Sequence, residues 1–208
     1  MRITVFGAAG AVGSRVVAEA LGRGHDVTAV VRDPARAAAV PAGARLAVGD
    51  AADPVDVQRL SAGTDLVITA TRPPAGAEAE LVRVTAALLD GVGVTRLLVV
   101  GGAATLTVPG GVTLHETPDF PADLRPIAQA CSAQWSLVAA ADRDWTYLSP
   151  PAELVPGVRT GSYRLGRDEL LTDDTGASTI SMEDFAVALL DEAESPAHRR
   201  VRFTVAAA

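Results

Sequence analysis

The sequence predicts an α/β protein in which a doubly wound parallel sheet carries helices on both faces. Short apolar runs alternate with helical segments along most of the 208 residues, and a glycine-rich turn joins the first run to the first helix. Strands separated by helical segments of this length form parallel sheets, because a parallel connection needs a crossover of about a dozen residues or more. The length suits one domain, so we expect a single domain over residues 1–208.

The predicted elements follow one another in regular order through the first three quarters of the chain. Apolar runs predict strands at 2–7, 25–32, 45–50, 64–71, 94–102 and 144–150. Helical spacing predicts helices at about 11–22, after Pro54, at 78–90 and within 121–142. Asp53 is expected to cap the helix that begins at Pro54.

The pattern changes after Pro151. Short alternating runs and turn residues over 152–180 predict a small hairpin region, inserted on the substrate side of the domain. Ser181 and Asp184 then form a capping-box-like pair at the start of a helix with an apolar stripe. The segment RRVRFTV predicts the last strand.

Composition excludes several classes of function. The net charge is −7 and no long basic run occurs, which argues against a nucleic-acid partner. All 18 basic residues are arginines, so no mechanism can use a lysine amine. The three histidines are scattered, and no metal site is expected. No apolar run reaches the ~20 residues that span a bilayer, and no signal-peptide pattern occurs, so we expect a cytoplasmic protein without a membrane partner.

Cys131 is the single cysteine, which rules out an internal disulfide. Its helical, apolar surroundings favour a buried packing residue over a nucleophile.

The turn after the first strand carries three glycines with the spacing G-x-x-G-x-x-G. Gly7 permits a tight turn, Gly10 lets the backbone approach a pyrophosphate, and Gly13 lets the helix pack closely on the sheet. An ordinary strand–helix turn is the alternative. The position of the motif favours a phosphate-binding turn made of Gly7, Ala9, Gly10, Ala11, Val12 and Gly13.

The second strand ends in Arg32 and Asp33. A carboxylate here suits the ribose 2′-hydroxyl of NAD, whereas an arginine suits the 2′-phosphate of NADP. Adjacent residues on an extended segment point opposite ways, and we favour Arg32 over Asp33. The sequence therefore favours NADP, with NAD possible. A solvated surface role for Arg32 is the alternative.

Ligands of doubly wound sheets bind beyond the carboxyl ends of the strands, so the later strand ends supply the other candidates. Asp50 is placed for the adenine amino group. Arg72 could bind a phosphate or a substrate carboxylate, or it could be a residue at the rim of the site. The cofactor-binding residues predicted at these ends are Asp50, Ala51, Ala70, Thr71, Arg72, Gly101, Ser149, Pro150 and Pro151.

Several stretches together resemble a known family. These stretches are similar to the NAD(P)H-binding, NmrA-like branch of the atypical short-chain dehydrogenases/reductases, and most similar to its small NADH-flavin reductase type. They are VFGAAGAVG, VVRDP, GDAAD, LLVVGGAATL, DWTYLSPPAEL, GSYRLG and ISMEDFAVALLDE. The resemblance covers essentially the whole chain. It implies a Rossmann fold, NADP(H) or NAD(H), and for some members reduction of flavins or related conjugated molecules. Other members bind the nucleotide as regulators.

The chain departs from the Tyr-x-x-x-Lys pair of catalytic short-chain dehydrogenases. Tyr147 is followed at +4 by Pro151, and Tyr163 by Arg167. An arginine cannot shuttle a proton at working pH, so alcohol–ketone chemistry is disfavoured. Hydride transfer to a flavin or quinone depends mainly on the alignment of donor and acceptor, so it does not require the tyrosine–lysine pair.

Two residues are the catalytic candidates. Thr105 is placed to orient a substrate carbonyl, with a cap as the alternative. His115 is the best available proton donor, with a surface loop residue as the alternative. Phe120 and Trp135 are candidates for the pocket wall, although core packing suits Trp135 as well.

The leading hypothesis is an NADPH-dependent reductase of flavin-like or quinone-like acceptors, acting as a monomer or homodimer. A nucleotide-binding redox sensor is the rival. An epimerase or dehydratase of nucleotide sugars is disfavoured, because the chain is short for a substrate domain and lacks the tyrosine–lysine pair.

Overall fold

A computed structural model describes all 208 residues. None of its helices combines the length and the apolar composition that a bilayer crossing requires. The strands are β1 Arg2–Phe6, β2 Asp26–Val31, β3 Arg45–Val48, β4 Leu66–Thr69, β5 Arg96–Val100, β6 Trp145–Ser149, β7 Glu153–Val155, β8 Tyr163–Gly166, β9 Thr179–Ser181 and β10 Arg202–Ala207. The helices are α1 Ala11–Gly22, α2 Pro54–Ser61, α3 Glu80–Gly91, α4 Arg125–Ala140 and α5 Met182–Glu194.

Eight strands form the central sheet in the order β3-β2-β1-β4-β5-β6-β10-β8. All neighbours are parallel except β8, which runs antiparallel to β10 at one edge. Val5 of β1 pairs with Ala29 on one side and Ile68 on the other. The strand order reverses direction between β1 and β4, which is the doubly wound arrangement. The predicted fold class is confirmed.

Two apolar cores explain why the central strands read as continuous apolar runs. Helices α1 and α5 cover one face, and α2, α3 and α4 cover the other. Ile3 and Val5 of β1 pack toward α1 and α5, whereas Phe6 packs into the opposite core beside Trp145 and Tyr147. A parallel sheet buried on both faces requires apolar side chains on both sides of each strand.

The predicted hairpin at 152–180 is wrong in its pairing. Strands β7 and β9 pair in parallel as a separate two-stranded sheet, and β8 joins the main sheet beside β10. The alternating pattern identified short strands correctly, but it does not specify partners. Pairing depends on which neighbouring edge is free, and here β10 offers one.

The helix starts follow the predicted caps. The Asp53 carboxylate accepts the backbone N–H of Val55, and the Ser181 hydroxyl accepts that of Asp184. The reciprocal half of the predicted capping box is absent. The Asp184 carboxylate instead accepts backbone N–H groups from Thr160 and Gly161, and so ties the loop before β8 to α5.

Candidate functional site

The main cleft has a volume of about 850 Å³ and lies beyond the carboxyl ends of β1 to β6. It spans the point between β1 and β4 where the strand order reverses. Its size lies within the range of cofactor pockets, ~300–1,000 Å³. The cleft is therefore in the place and of the size expected for a bound dinucleotide.

The glycines of the first turn are required by close backbone contacts. Gly7 has a φ of +80°, and a Cβ there would lie 2.6 Å from the carbonyl oxygen of Ala70. A Cβ on Gly13 would lie 2.1 Å from the carbonyl oxygen of Gly7. Neither position can hold a side chain without a backbone shift. The turn therefore packs directly against the backbone that follows β4, and its other side lines the cleft.

The first turn of α1 presents unpaired N–H groups. Gly10 is the N-cap residue and supplies no side-chain cap. The first helical bond runs from Ser14 N to Gly10 O, so the amides of Ala11 and Val12 have no partner within the helix. Both residues line the cleft. This end of α1 suits an anionic phosphate, because its free donors and the helix dipole both favour negative charge.

The end of β2 presents arginine rather than a free carboxylate. The Asp33 side chain is engaged as a cap, accepting the N–H of Ala35. The Arg32 guanidinium lines the cleft, is 59% exposed, and lies 3.8 Å from the Glu80 carboxylate across its mouth. Asp33 also lines the cleft, but one of its oxygens is held by the cap, whereas the Arg32 guanidinium makes no hydrogen bond within the protein.

Arg36 is a cleft residue that sequence reasoning missed. It stands in the short 3₁₀ turn after β2, and its guanidinium donates to the carbonyl oxygen of Ala9 at 3.0 Å. This bond links the β2 end to the glycine turn. The spacing of four residues from Arg32 is the signal that could have identified it.

Asp50 and Arg72 lie where the sequence placed them, on the cleft wall. One carboxylate oxygen of Asp50 accepts the N–H of Ala52. Arg72 is exposed and has no carboxylate partner within the protein.

The far end of the cleft is apolar. Burial raises the pKa of the Cys131 thiol to about 11, with the positive charge of Arg72 opposing the rise. Cys131 is therefore a neutral thiol on the cleft wall. A neutral thiol is a poor nucleophile, because the thiolate is the reactive form. Phe120 lines this end as expected, whereas Trp135 packs against Trp145 and Tyr147. The other apolar residues of this wall are Leu114, Leu124, Ile127, Ala128 and Leu154.

The structure does not bring the two catalytic candidates into the cleft lining. Thr105 is buried, and its hydroxyl accepts from the Arg202 guanidinium at 2.9 Å. His115 Nδ1 lies 2.8 Å from the carbonyl oxygen of Ala104 and 2.9 Å from the Thr113 hydroxyl. Thr105 is thus buried against Arg202, whereas the half-buried His115 ring contacts the Ala104 carbonyl outside the cleft lining.

Two predicted cofactor-binding residues also lie behind the lining. Gly13 packs against the Gly7 backbone, and Ser149 is fully buried at the end of β6. The remaining predicted cofactor-binding residues all line the cleft, namely Gly7, Ala9, Gly10, Ala11, Val12, Arg32, Asp50, Ala51, Ala70, Thr71, Arg72, Gly101, Pro150 and Pro151.

Comparison with known proteins agrees with this geometry. The family described as NAD(P)H-binding matches residues 7–196. The chain belongs to this family. The match begins at Gly7, so it includes the glycine turn, and it ends after α5, so it includes every strand end around the cleft. A nicotinamide dinucleotide is accordingly the ligand class of this fold.

Relatives of similar length share the family's architecture. The uncharacterized protein YwnB of Bacillus subtilis strain 168 is 38% identical, over 99% of this chain and 98% of its own. A candidate epimerase from Bacteroides thetaiotaomicron is 38% identical, with a TM-score of 0.91 over 99% of this chain and 96% of its own. A candidate NADH-flavin reductase from Streptococcus pneumoniae is 30% identical, with a TM-score of 0.89 over the whole of both chains. The names of these relatives differ, and the fold is common to them.

Proposed function

We propose that the protein is an NADPH-dependent reductase of flavin-like or quinone-like acceptors. The observation that carries the proposal is the shape of the cleft. One continuous space joins a phosphate-binding turn to an apolar end that contains no acid–base pair. A likeness to a candidate NADH-flavin reductase supports the same class of reaction. We also propose a cytoplasmic location.

The residues present fit a dinucleotide phosphate. Gly7 and Gly13 leave the turn free of side chains, and the amides of Ala11 and Val12 supply donors for the pyrophosphate. Arg32 and Arg36 would hold the 2′-phosphate, since guanidinium groups bind phosphate through several charge-assisted hydrogen bonds. This pair supports NADPH over NADH.

The residues around the apolar end orient and shield the reactants. NADPH supplies a hydride when it is bound. Ile127, Ala128 and Cys131 on α4 present uncharged atoms to the acceptor, and they exclude water. Burial raises the pKa of the Tyr147 hydroxyl, which lies beneath Gly101 and not in the cleft. No side chain here is poised to protonate a ketone, so we infer an acceptor that stabilises its own added charge.

The direct test is turnover by the purified protein under anaerobic conditions. NADPH is mixed with FMN, FAD or a quinone, and the loss of nicotinamide absorbance is followed. A Gly7→Val variant is the control, because its side chain would strike the Ala70 carbonyl and close the turn. We expect turnover by the wild-type chain only. Tight NADPH binding without turnover of any acceptor would refute the proposal.

A redox sensor is the second candidate function. The observation that favours it is the same lack of acid–base groups, together with the placement of Thr105 and His115 outside the cleft lining. A sensor must distinguish the two redox forms of its ligand. Clearly different affinities for NADP⁺ and NADPH, with no turnover, would favour this candidate, whereas equal affinities would exclude it.

A further inference from the structure

Gln134 is a nearly buried polar side chain on the wall of the cleft. It lies on α4 one turn beyond Cys131, and it is 3% exposed. Its Oε1 accepts a hydrogen bond from the Tyr147 hydroxyl at 3.0 Å. Its Nε2 has no hydrogen-bond partner within the protein, although it carries two protons to donate.

The Tyr147 hydroxyl fixes which way the Gln134 amide points. The Tyr147 hydroxyl donates its proton to Gln134 Oε1, so that oxygen of the amide is occupied. Burial raises the pKa of Tyr147, which keeps that proton in place at neutral pH. With Oε1 held by Tyr147, Nε2 is the atom of the amide left for the cleft.

The end of β5 is built around this hydrogen-bonded chain. A Cβ on Gly101 would lie 2.0 Å from the Tyr147 ring, and a Cβ on Gly102 would lie 2.7 Å from Cys131 Sγ. The two glycines therefore leave room for Tyr147 beneath the cleft floor and for Cys131 on the cleft wall. A larger residue at Gly101 would displace the Tyr147 hydroxyl that holds Gln134, and one at Gly102 would displace the Cys131 thiol.

The Nε2 atom is not fully enclosed, so it opens onto the cleft, where water or a ligand can accept its protons. A ligand that displaces this water must offer an acceptor of its own, or the amide is left unsatisfied. The walls around it are apolar, with Phe120, Leu124 and Ile127 nearby in the same cleft. Such a pocket accepts a flat conjugated ring, and a single donor then sets the orientation of the ring through a carbonyl oxygen.

We propose that Gln134 Nε2 donates a hydrogen bond to a ring carbonyl oxygen of the acceptor, and that Tyr147 is the positioning residue that aims it. This inference rests on the proposed reductase function. It narrows the substrate class to flat conjugated carbonyl compounds, such as isoalloxazines and quinones. Conjugated acceptors without a carbonyl would gain nothing from Gln134.

Binding of FMN to the complex with NADP⁺ tests the assignment without turnover. Quenching of flavin fluorescence gives the Kd. We expect Gln134→Leu to weaken FMN binding about tenfold, the value of one neutral hydrogen bond at a desolvated site. Gln129→Leu is the matched control, because Gln129 is exposed on the same helix. Tyr147→Phe keeps the ring and loses only the hydroxyl, so we expect a smaller loss of about threefold.

Turnover gives an independent readout of the same contact. We expect Gln134→Leu to lower kcat/KM for a quinone and to leave kcat/KM unchanged for a tetrazolium salt, which accepts hydride but has no ring carbonyl. Equal loss for both acceptors, in variants with wild-type circular dichroism, would show a structural role and overturn the inference.

The cofactor provides the other decisive outcome. If Gln134→Leu weakens NADP⁺ binding in the absence of FMN, the donor serves the nicotinamide end and the inference is wrong. If wild-type protein binds FMN and reduces quinones but Gln134→Leu behaves identically, the inference fails while the proposed function stands. If wild-type protein neither binds nor reduces any acceptor, the proposed function fails and this inference fails with it.

Discussion

The two ends of the central sheet handle charge in opposite ways. At the amino end, Arg96 is buried and pairs with Glu192, whose other oxygen binds His198 Nδ1 at 2.8 Å. At the carboxyl end, Arg36 and Arg72 line the cleft without a carboxylate partner. Both ends contain arginines close to strand termini. The buried cation at the amino end has a carboxylate partner, whereas these two cleft arginines have none.

The presence or absence of a carboxylate partner distinguishes arginines that stabilise the fold from arginines that are available to bind a ligand. A buried charge is tolerated only when it is paired, and the amino end meets this condition through Glu192. Cations left without partners beside a glycine turn are useful only if an anion arrives. Mutations at the amino end should therefore change stability, and those at the carboxyl end should change binding.

The largest expected effect is at the amino end. Glu192→Ala leaves the Arg96 guanidinium buried without a counter-charge, and we expect a loss of about 3–5 kcal/mol in the free energy of unfolding. Chemical denaturation measures it, with the exposed Glu153→Ala as the control. At a temperature where the variant is still folded, its Kd for NADPH should equal that of the wild type. A change in the Kd for NADPH without a change in stability would show that Glu192 serves ligand binding and not the fold.

The next largest effect is at the carboxyl end. Arg32→Glu removes charge-assisted hydrogen bonds to a 2′-phosphate, worth about 1.5–3 kcal/mol, so NADPH should bind roughly 10- to 100-fold more weakly. NADH should bind almost as before, because it lacks that phosphate. Isothermal titration gives both affinities, and the exposed Arg167→Glu controls for net charge. Equal losses for the two nucleotides would mean that Arg32 does not contact the 2′-phosphate.

We also expect ion pairs away from the cleft to make the stability of the fold depend on pH. The hydrogen bond from Arg159 lowers the pKa of Glu19 from 4.5 to about 2; burial opposes this shift and Arg23 adds to it. Because the folded pKa lies below the unfolded one, the stabilisation is present above pH 4.5 and disappears as the pH falls toward 2. Glu19→Gln should therefore lower the free energy of unfolding at pH 6 by on the order of 1 kcal/mol, which thermal melts would detect as a lower melting temperature. At pH 2 the two proteins should melt at nearly the same temperature. A pH-independent difference would exclude this contribution.

The smallest effect tests the one ion pair at the cleft mouth. Glu80 lies 3.8 Å from Arg32, and both side chains are largely exposed. Glu80→Gln should free Arg32 and tighten NADPH binding by up to about 1 kcal/mol, the value of a surface pair. Stability should not change. Weaker binding in this variant would show that Glu80 itself contacts the nucleotide.

The sequence predicted the cleft well where a residue's position follows from the topology. Any residue at the carboxyl end of a parallel strand must lie near the cleft, which is why Gly7, Arg32, Asp50 and Arg72 were found from order alone. The capping residue Asp53 was predictable for a similar reason, since its role depends only on its immediate neighbours.

Residues whose roles depend on distant partners escaped prediction. Thr105 and His115 lie in an irregular segment, where neither period nor cap fixes the direction of a side chain. Gln134 looks like any polar residue of a helix until Tyr147, which lies on β6, is placed against it. The pairing of β8 with β10 likewise depends on which sheet edge is free.

The position of Cys131 has a practical consequence. It is the single thiol of the chain, it lies on the apolar wall of the cleft, and no lysine competes for electrophiles. Because burial raises the pKa of the thiol to about 11, a maleimide dye should react slowly at neutral pH and faster in mild alkali. A ligand at the acceptor end should shield this thiol, so a slower labelling rate would report occupancy without any engineered label.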